Sequence, residues 1–412
     1  MRIVLVTLDT LRLDRFGDGP GQSSRMPRTR AFAERGLRFE SAWAASSATQ
    51  PTHASLFTGL HPWQHGVPRN GTTLAEAHRT VAERLREAGF ATAAVVASFP
   101  LDPRFGFAQG FDAYHHEFDQ RMTPAWEGAP VAGGRFYSLA AAVTRRALEA
   151  LDAAPGERQF FFFHYFDPHD PYGDTGGQAL ALARLQALRK GEPAGFEAAL
   201  EQARRLYDRD VEALDRALGA LLERLAGDAG RFETHVLITA DHGESFGELG
   251  AIGHGWRVSR AEVQVPLVIV SPRVAPGVRG DAAGSVDVAA TLLALAGLPD
   301  AGLPGRDLTG PAAPGAGSAV GMSGWAVPPL DPAQGAAARE RFFTIRAGAL
   351  YSGDSRASWE EDDPGRRVRD PELDASLLPL FASFEASLAG QTVQERRDAE
   401  TEEGLRALGY VE

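Results

Sequence analysis

Three apolar runs in this sequence each end in an aspartate. They are Ile3 to Leu8 before Asp9, Phe160 to Phe166 before Asp167, and His235 to Ala240 before Asp241 and His242. Runs of this length that are rich in β-branched or aromatic residues are typical of buried parallel strands. Because such strands end at one edge of a sheet, where open α/β folds bind ligands, we expect the three carboxylates and the histidine to converge. The pattern therefore predicts a metal site and favours hydrolytic chemistry.

Strand and helix patterns alternate through most of the chain. This alternation predicts an α/β fold with a central, mostly parallel sheet sandwiched between helices. Thr80 and Glu83 carry the signature of a capping box, and apolar residues at helical spacing predict the longest helix near Phe196 to Leu225. A stretch rich in Gly, Pro and Ala then precedes a small C-terminal α+β part. We expect a catalytic domain at residues 1–310, a connection at 311–338 and a C-terminal subdomain at 339–412.

Charge and composition limit the partners of the chain. Its net charge of −12 argues against a nucleic-acid partner, because phosphate contacts require clustered Lys and Arg. Cysteine is absent, which excludes disulfides and thiolate metal sites. No apolar stretch approaches the ~18 residues of a membrane span, and the first apolar run ends too early at Asp9 for a signal sequence. We expect a cytoplasmic protein without a membrane span, and an oligomer is compatible with the sequence.

One segment provides a candidate nucleophile. Thr49 stands just ahead of a predicted helix whose first turn contains Pro51. A helix N-terminus offers unpaired N–H groups and a positive field to an anion, such as a tetrahedral oxyanion ester. An alcohol is scarcely ionised at neutral pH, but a divalent cation can lower the pKa of a bound oxygen. Thr49 is therefore a candidate nucleophile, although a threonine here could also serve only as a helix cap.

Five motifs follow one another along the chain. They are Val4 to Arg12, Thr49 to Gly59, His164 to Tyr172, Asp241 to Glu244, and Gly253 to Gly255. In this order they resemble the motifs of the sulfatase branch of the alkaline phosphatase superfamily. The likeness extends from Met1 to about Leu308, and the closing Leu405 to Tyr410 is similar to the tail of that family. The resemblance implies an alkaline-phosphatase-like fold and a metal-dependent hydrolase that acts on ester bonds.

The resemblance also implies roles for individual residues. Asp9, Asp241 and His242 match metal-binding positions, and Thr49 matches the nucleophile, which also binds the metal. Asn70 falls where phosphoesterases of this superfamily place an amide that donates to a substrate oxygen. His169 and His254 match positions that contact the ester group or protonate the leaving oxygen. Asp167 could join these two histidines around a second metal ion.

The chain departs from the family pattern at several positions. Sulfatases carry, where this chain has Thr49, a Cys or Ser that is converted to formylglycine, and threonine is not used by that modification. His53 stands where their motif has an arginine, and the only lysine, Lys190, lies in none of the motifs although sulfatases use active-site lysines. Thr10 replaces the second acid of the usual Asp-Asp pair. With one acid fewer and a histidine ligand, the predicted site favours Mn²⁺ or Zn²⁺ over Ca²⁺.

These departures favour phosphorus over sulfur as the centre of attack. The resemblance implies this choice, because threonine nucleophiles occur in phosphodiesterases and phosphotransferases of the superfamily. We predict hydrolysis of a phosphate or phosphonate ester of a small molecule, a saccharide or a lipid. The alternatives are a sulfate ester hydrolase and a metal-binding homologue without turnover. We expect His164 to be an interior histidine, and Glu244 and Tyr172 to be loop residues.

Overall fold

The chain is seen in a computed structural model. It describes residues 1–17, 23–119, 136–176, 180, 182–191, 193–255, 258–299, 301–311, 320–322, 342–346, 349–353, 358–361, 367–368, 371–396 and 398–407. The strands are β1 Arg2–Leu8, β2 Leu37–Phe39, β3 Ala42–Trp43, β4 Ala91–Val95, β5 Ala113–His115, β6 Gln159–Tyr165, β7 Thr234–Ala240, β8 Ser245–Phe246, β9 Ile252–Gly253, β10 Leu267–Val270, β11 Gly277–Arg279, β12 Ala283–Gly284, β13 Val320–Met322, β14 Phe342–Arg346, β15 Ala349–Gly353, β16 Ser358–Glu361 and β17 Arg367–Val368. The helices are α1 Leu13–Phe16, α2 Pro27–Ala33, α3 Thr49–Thr58, α4 Pro62–His65, α5 Val81–Glu87, α6 Ala140–Ala153, α7 Leu182–Gly191, α8 Pro193–Gly227, α9 Arg260–Val263, α10 Ser285–Leu295, α11 Pro371–Ala389 and α12 Ala399–Ala407.

An eight-stranded sheet organises the larger part of the fold. Its strand order is β11, β2, β10, β7, β1, β6, β4 and β5. The central strand β1 pairs in parallel with both β6 and β7, whereas β10 runs antiparallel to β7 and β2. The residues of β1 and β6 are all buried, as expected for strands covered on both faces. The predicted α/β fold with a mostly parallel central sheet is confirmed.

The pairing register decides which predicted acids lie side by side at the carboxyl ends of neighbouring strands. The first residue beyond the pairing is Asp9 in β1 and Asp241 in β7, but Phe166 in β6. Asp167 therefore lies one residue further along its strand. Because successive side chains of a strand point to opposite faces, a shift of one residue turns a side chain to the other face. The register thus favours a meeting of Asp9 with Asp241 and separates Asp167 from them.

The helices around the sheet follow their local sequence signals. In α5, the backbone N–H of Glu83 donates to Thr80 Oγ1 at 3.1 Å, and the Glu83 carboxylate accepts from the Thr80 N–H at 2.8 Å. The predicted capping box is therefore present. The longest helix, α8, packs against α2 and α6 and extends beyond the predicted range at both ends. Its apolar stripe, with Leu214 and Leu218 fully buried, belongs to the main core.

A smaller antiparallel sheet lies in the C-terminal part. Its strand order runs from β13 to β17, and α11 packs against β14, β16 and α4. The Trp63 ring of α4 stacks on Phe384 of α11 with the centroids 3.9 Å apart. This contact joins the C-terminal part to the loop region that follows α3. The domain boundaries stay predictions, since most of the predicted connection at 311–338 lies outside the described residues.

None of the helices within the described ranges combines the length and the apolar character required to cross a bilayer. The predicted location and oligomeric state stay predictions.

Candidate active site

Asp9, Asp241 and His242 form a buried group at the carboxyl edge of the central sheet. Asp9 follows β1, and the other two residues follow the neighbouring strand β7. Their candidate ligand atoms all lie within 4.8 Å of one another. His242 Nε2 is 3.7 Å from Asp9 Oδ1 and 3.6 Å from Asp241 Oδ2. The structure therefore brings together three side chains that the sequence predicts as metal ligands.

The polar atoms of this group fit a divalent cation. Both carboxylate oxygens of Asp9, Oδ2 of Asp241 and Nε2 of His242 are buried without a hydrogen-bond partner in the described part of the chain. Buried polar atoms are nearly always paired, so four unpaired acceptors in one place are costly unless a cation binds them. Burial, and then the charge of Asp241, raise the pKa of Asp9 well above its usual value. A bound cation would relieve that repulsion.

A backbone carbonyl selects the tautomer of His242. Its Nδ1 lies 3.0 Å from the carbonyl oxygen of Gly243, which can only accept, so Nδ1 carries the proton. Burial lowers the pKa of His242, but the charges of Asp241 and Asp9 raise it overall, so a cation would displace the proton from Nε2 and meet the lone pair of the neutral ring. Metal-binding histidines are commonly oriented through their other nitrogen in this way. The tautomer of His242 is therefore the one that a metal ligand requires.

His53 lies beside this group but uses both of its nitrogens elsewhere. Its Nδ1 donates to the Thr49 carbonyl oxygen at 2.8 Å, and its Nε2 accepts from the Thr7 hydroxyl at 2.9 Å. Nδ1 also lies 3.7 Å from Asp241 Oδ2. Burial lowers the pKa of His53 to about 3, which keeps the ring neutral. We interpret His53 as a residue that connects Thr49 to Asp241 and not as a ligand.

His164 approaches the group from β6 with its proton towards Asp9. Its Nδ1 accepts from the Ala97 N–H at 3.2 Å, so the proton of the neutral ring lies on Nε2. Nε2 is 3.3 Å from Asp9 Oδ2, a close approach without the geometry of a hydrogen bond, since neither atom has a hydrogen-bond partner among the described residues. His164 is the interior residue that the sequence predicts, yet its role beside Asp9 was missed. No signal in the sequence could have found this role, because it depends on the strand register, in which His164 pairs with Thr7, two residues before Asp9.

Thr49 is the first residue of α3, whereas the sequence predicted it just ahead of the helix. Thr49 is fully buried. Its carbonyl oxygen is bonded to His53, and the same His53 nitrogen approaches Asp241, so α3 begins beside the carboxylates. The predicted nucleophile and the predicted metal ligands therefore share one region of the fold.

Asn70 is oriented by the start of the same helix. The Gln50 N–H donates to Asn70 Oδ1 at 2.8 Å, and Gln50 Oε1 accepts from the Thr72 N–H at 3.1 Å. Since Asn70 Oδ1 accepts from Gln50, the amide nitrogen Nδ2 of Asn70 points away from the Gln50 N–H. Among the described residues, Asn70 Nδ2 is buried without a hydrogen-bond partner. A donor next to Thr49 is thus left for a group that enters the site.

His169 and His254 lie on the other side of His242. The ring centroid of His254 is 4.4 Å from that of His242 and 4.9 Å from that of His169. His254 Nδ1 lies 3.0 Å from Glu244 Oε1, and the Tyr172 hydroxyl donates to Glu244 Oε2 at 2.9 Å. Glu244 and Tyr172, predicted as loop residues, therefore orient His254, which the sequence predicts as a site residue.

The described residues contain two groups of candidate ligands, Asp9 with Asp241 and His242, and Asp241 with His53 and His164, and Asp167 belongs to neither. Its Oδ2 accepts from the N–H of Ala140, the first residue of α6, at 2.7 Å. Burial, and then the charge of Asp210, raise the pKa of Asp167 to about 8. The physical reason is the offset of one residue in β6, which directs Asp167 to a helix start. A second metal site that joins Asp167 with His169 and His254 stays a prediction.

Thr10, which stands at the position of the second acid, has an unusual backbone conformation. Its φ of 55° lies in the left-handed region, which a β-branched residue rarely adopts. Its N–H donates to Asp241 Oδ1 at 3.3 Å. Strain of this kind persists only where the surroundings enforce it, often at a functional site. Thr10 therefore supports Asp241 through its backbone.

Comparisons with known proteins agree with this architecture. A family model for sulfatases matches residues 2–298. Choline-sulfatase of Rhizobium meliloti (strain 1021) is 24% identical over 356 residues, which cover 72% of this chain and 67% of that protein. Human arylsulfatase A is 29% identical over 358 residues, which cover 74% of this chain and 66% of that protein. The chain therefore spans about two thirds of the length of these relatives.

The same fold occurs among solved structures. A phosphonate monoester hydrolase from Silicibacter pomeroyi superposes with a TM-score of 0.67 at 21% identity, over 96% of this chain and 100% of that one. At this identity the likeness concerns the fold alone.

Proposed function

The chain belongs to the sulfatase family of metal-dependent ester hydrolases, and from this membership we propose that it cleaves phosphate or phosphonate esters with Thr49 as the nucleophile. The observation that carries the proposal is the identity and place of this residue. Thr49 is buried at the start of α3 and is connected to Asp241 through His53. Where sulfatases need a residue that becomes formylglycine, this chain has a threonine, and a threonine hydroxyl can attack phosphorus directly.

The proposed metal centre consists of Asp9, Asp241 and His242, with Thr49 beside it. A divalent cation held there would act as a Lewis acid and lower the pKa of a hydroxyl oxygen. The imidazole nitrogen of His242 supports Mn²⁺ or Zn²⁺ over Ca²⁺, which prefers an all-oxygen site.

The other site residues would stabilise charge and transfer protons. Thr49 Oγ1 forms a bond to phosphorus, the bond to the leaving alcohol breaks, and water later releases the phosphoryl group from Thr49. Asn70 Nδ2 would donate to a non-bridging oxygen of the ester, where negative charge increases. Burial lowers the pKa of His169 to about 3 and that of His254 well below its usual value. The negative charge of a bound ester would raise both pKa values, so that one of the rings can protonate the leaving oxygen.

Hydrolysis of sulfate esters is the second candidate, because choline-sulfatase and arylsulfatase A are named for that activity. A panel of aryl phosphodiester, aryl phosphonate and aryl sulfate substrates, assayed with the Mn²⁺-loaded and Zn²⁺-loaded protein, distinguishes the two. We expect the highest kcat/KM with a phosphorus ester. A preference for the sulfate would refute the choice of phosphorus.

Variants of Thr49 test the nucleophile itself. We expect Thr49→Ala to lower kcat by on the order of 10³-fold or more, while Thr49→Ser keeps a measurable part of it, because a serine retains the hydroxyl. Thr58→Ala is the matched control, since Thr58 lies at the other end of α3, where its hydroxyl donates to the Ala54 carbonyl at 2.6 Å and accepts from the Leu60 N–H at 3.2 Å. Acid-quenched turnover should place a phosphoryl group on the peptide that contains Thr49, as detected by mass spectrometry. Equal kcat of Thr49→Ala and Thr58→Ala would refute the proposal.

A further inference from the structure

The loop that carries Asn70, residues 68–73, is bonded to the C-terminal tail of the chain. We use C-terminal tail for residues 391–396 and 398–407. The Thr73 N–H donates to the Gln394 carbonyl at 2.8 Å, and the Arg396 N–H donates to the Gly71 carbonyl at 3.0 Å. These two bonds enclose an antiparallel bridge between Thr72 and Glu395. The tail therefore pairs with the Asn70 loop as a short second strand.

Side chains strengthen this pairing at both ends of the loop. Arg69, next to Asn70, forms an ion pair with Glu395. Gly71 has a φ of +87°, and a Cβ at this position would lie only 2.8 Å from Leu405 Cδ1. Leu405 is 4% exposed and belongs to the main hydrophobic core, so α12 anchors the tail. The close approach of Gly71 to Leu405 requires a glycine and leaves the loop little room to shift.

Asn70 is thus held from two directions. On one side, Gln50 bonds both the Asn70 side chain and the Thr72 N–H. On the other side, the tail bonds the backbone at Gly71 and Thr73. Connecting loops are generally mobile unless such bonds fix them, and a donor misplaced by ~1 Å can cost on the order of 100-fold in rate. The direction of Asn70 Nδ2 therefore depends on residues more than 300 positions away in the sequence.

We infer that the C-terminal tail is a positioning element of the active site, because its pairing with residues 71–73 fixes the amide of Asn70 beside Thr49. The inference rests on the proposed function, in which Asn70 donates to the ester. It assigns to the last segment of the chain a task in turnover and not only in packing.

A pair of substitutions at Arg396 tests this inference in the full-length protein. Arg396→Pro removes the N–H that donates to Gly71, whereas Arg396→Ala keeps that N–H and removes the same side chain. We expect Arg396→Pro to lower kcat by on the order of 10 to 100-fold relative to Arg396→Ala, with little change in KM. Equal kcat of the two variants would overturn the inference.

Two further measurements separate positioning from general damage. In an Asn70→Ala background, Arg396→Pro should cause no additional loss of kcat, because the effect acts through Asn70. The affinity for Mn²⁺, measured by calorimetry, should be equal in Arg396→Pro and Arg396→Ala, since the bond lost in Arg396→Pro is to Gly71 and not to Asp9, Asp241 or His242. A full additional loss in the Asn70→Ala background, or a drop in metal affinity, would overturn the positioning role.

Hydrogen exchange distinguishes a failure of this inference from a failure of the proposed function. The peptide that contains residues 69–73 should exchange faster in Arg396→Pro than in Arg396→Ala, whatever the substrate. Faster exchange in a protein without phosphoesterase activity would refute the proposed function and retain the tail contact. Unchanged exchange in an active enzyme would refute the inference alone.

Discussion

At the scale of single residues, the proton on each histidine decides what the ring can do. The Gly243 carbonyl leaves Nε2 of His242 as an acceptor, whereas the Ala97 N–H leaves the proton of His164 on Nε2, 3.3 Å from Asp9 Oδ2. Two buried histidines at the same edge of the sheet are therefore not equivalent. One is prepared to bind a cation, and the other to orient a carboxylate that binds it.

Metal affinity should report this difference. We expect His164→Ala to weaken binding of Mn²⁺ or Zn²⁺ by ~10 to 100-fold, as for an outer partner of a ligand, and His242→Ala to weaken it further. His235→Ala is the control, because His235 is buried in β7 but bonds Ser271 away from the site. Calorimetry on the metal-free protein gives the three dissociation constants. An equal loss for His164→Ala and His242→Ala would contradict the assigned tautomers.

At the scale of elements, local signals set where helices begin. Thr80 accepts from the Glu83 N–H and also donates to the Gln109 carbonyl, so the cap of α5 is joined to a neighbouring loop. A side chain with two such bonds contributes to the stability of the helix and of its packing. Its role could be read from the sequence because a capping box involves residues only three positions apart.

Substitution of the cap should measure that contribution. We expect Thr80→Ala to lower the free energy of unfolding by ~1 kcal/mol, since it leaves a helix N–H unpaired. Arg86→Ala, on an exposed position of the same helix, should change it by less than ~0.5 kcal/mol. Urea titration followed by circular dichroism compares the two. Identical midpoints would show that the cap does not contribute.

At the scale of the whole molecule, burial of ionisable groups makes stability depend on pH. Burial lowers the pKa of His65 to about 3 and of His61 and His235 to about 4, so the unfolded chain binds more protons than the folded one below ~6.5 and stability rises with pH there. Burial raises the pKa of Asp167 and Asp170 to about 8, so the folded protein binds more protons between ~4 and 8 and stability falls as pH rises. Between ~4 and 6.5 the two effects oppose each other, and the three histidines outweigh the two acids; above ~6.5 only the acids contribute, so stability declines.

The thermal midpoint of the metal-free protein should therefore pass through a maximum near pH ~6.5. Each buried acid contributes up to ~1.4 kcal/mol per pH unit to the decline towards pH 8. Asp167→Asn, which can still accept from Ala140, should reduce that decline. Scanning calorimetry between about pH 5 and 8.5 in the presence of a chelator measures the thermal midpoint of both proteins. A decline as steep in the variant as in the original protein would exclude Asp167 as a source.

The sequence by itself determined the features that depend on near neighbours in the chain. The apolar runs that end in Asp9 and Asp241, the capping box at Thr80 and the order of the five motifs were sufficient for the fold class and the family. The predicted metal ligands could be named because parallel strands place their ends at a common edge. These short-range patterns indicate the fold class and the predicted ligands even when the pairing of the strands is not known.

Only the tertiary structure decided the features that depend on register and on distant contacts. A single residue of offset in β6 separated Asp167 from Asp9 and Asp241 and placed it at the start of α6, and the pairing of β6 with β1 brought His164 to Asp9. The contact between the C-terminal tail and the Asn70 loop joins segments more than 300 residues apart. The physical reason is that strand register and long-range docking result from packing the whole core, and no local pattern specifies them.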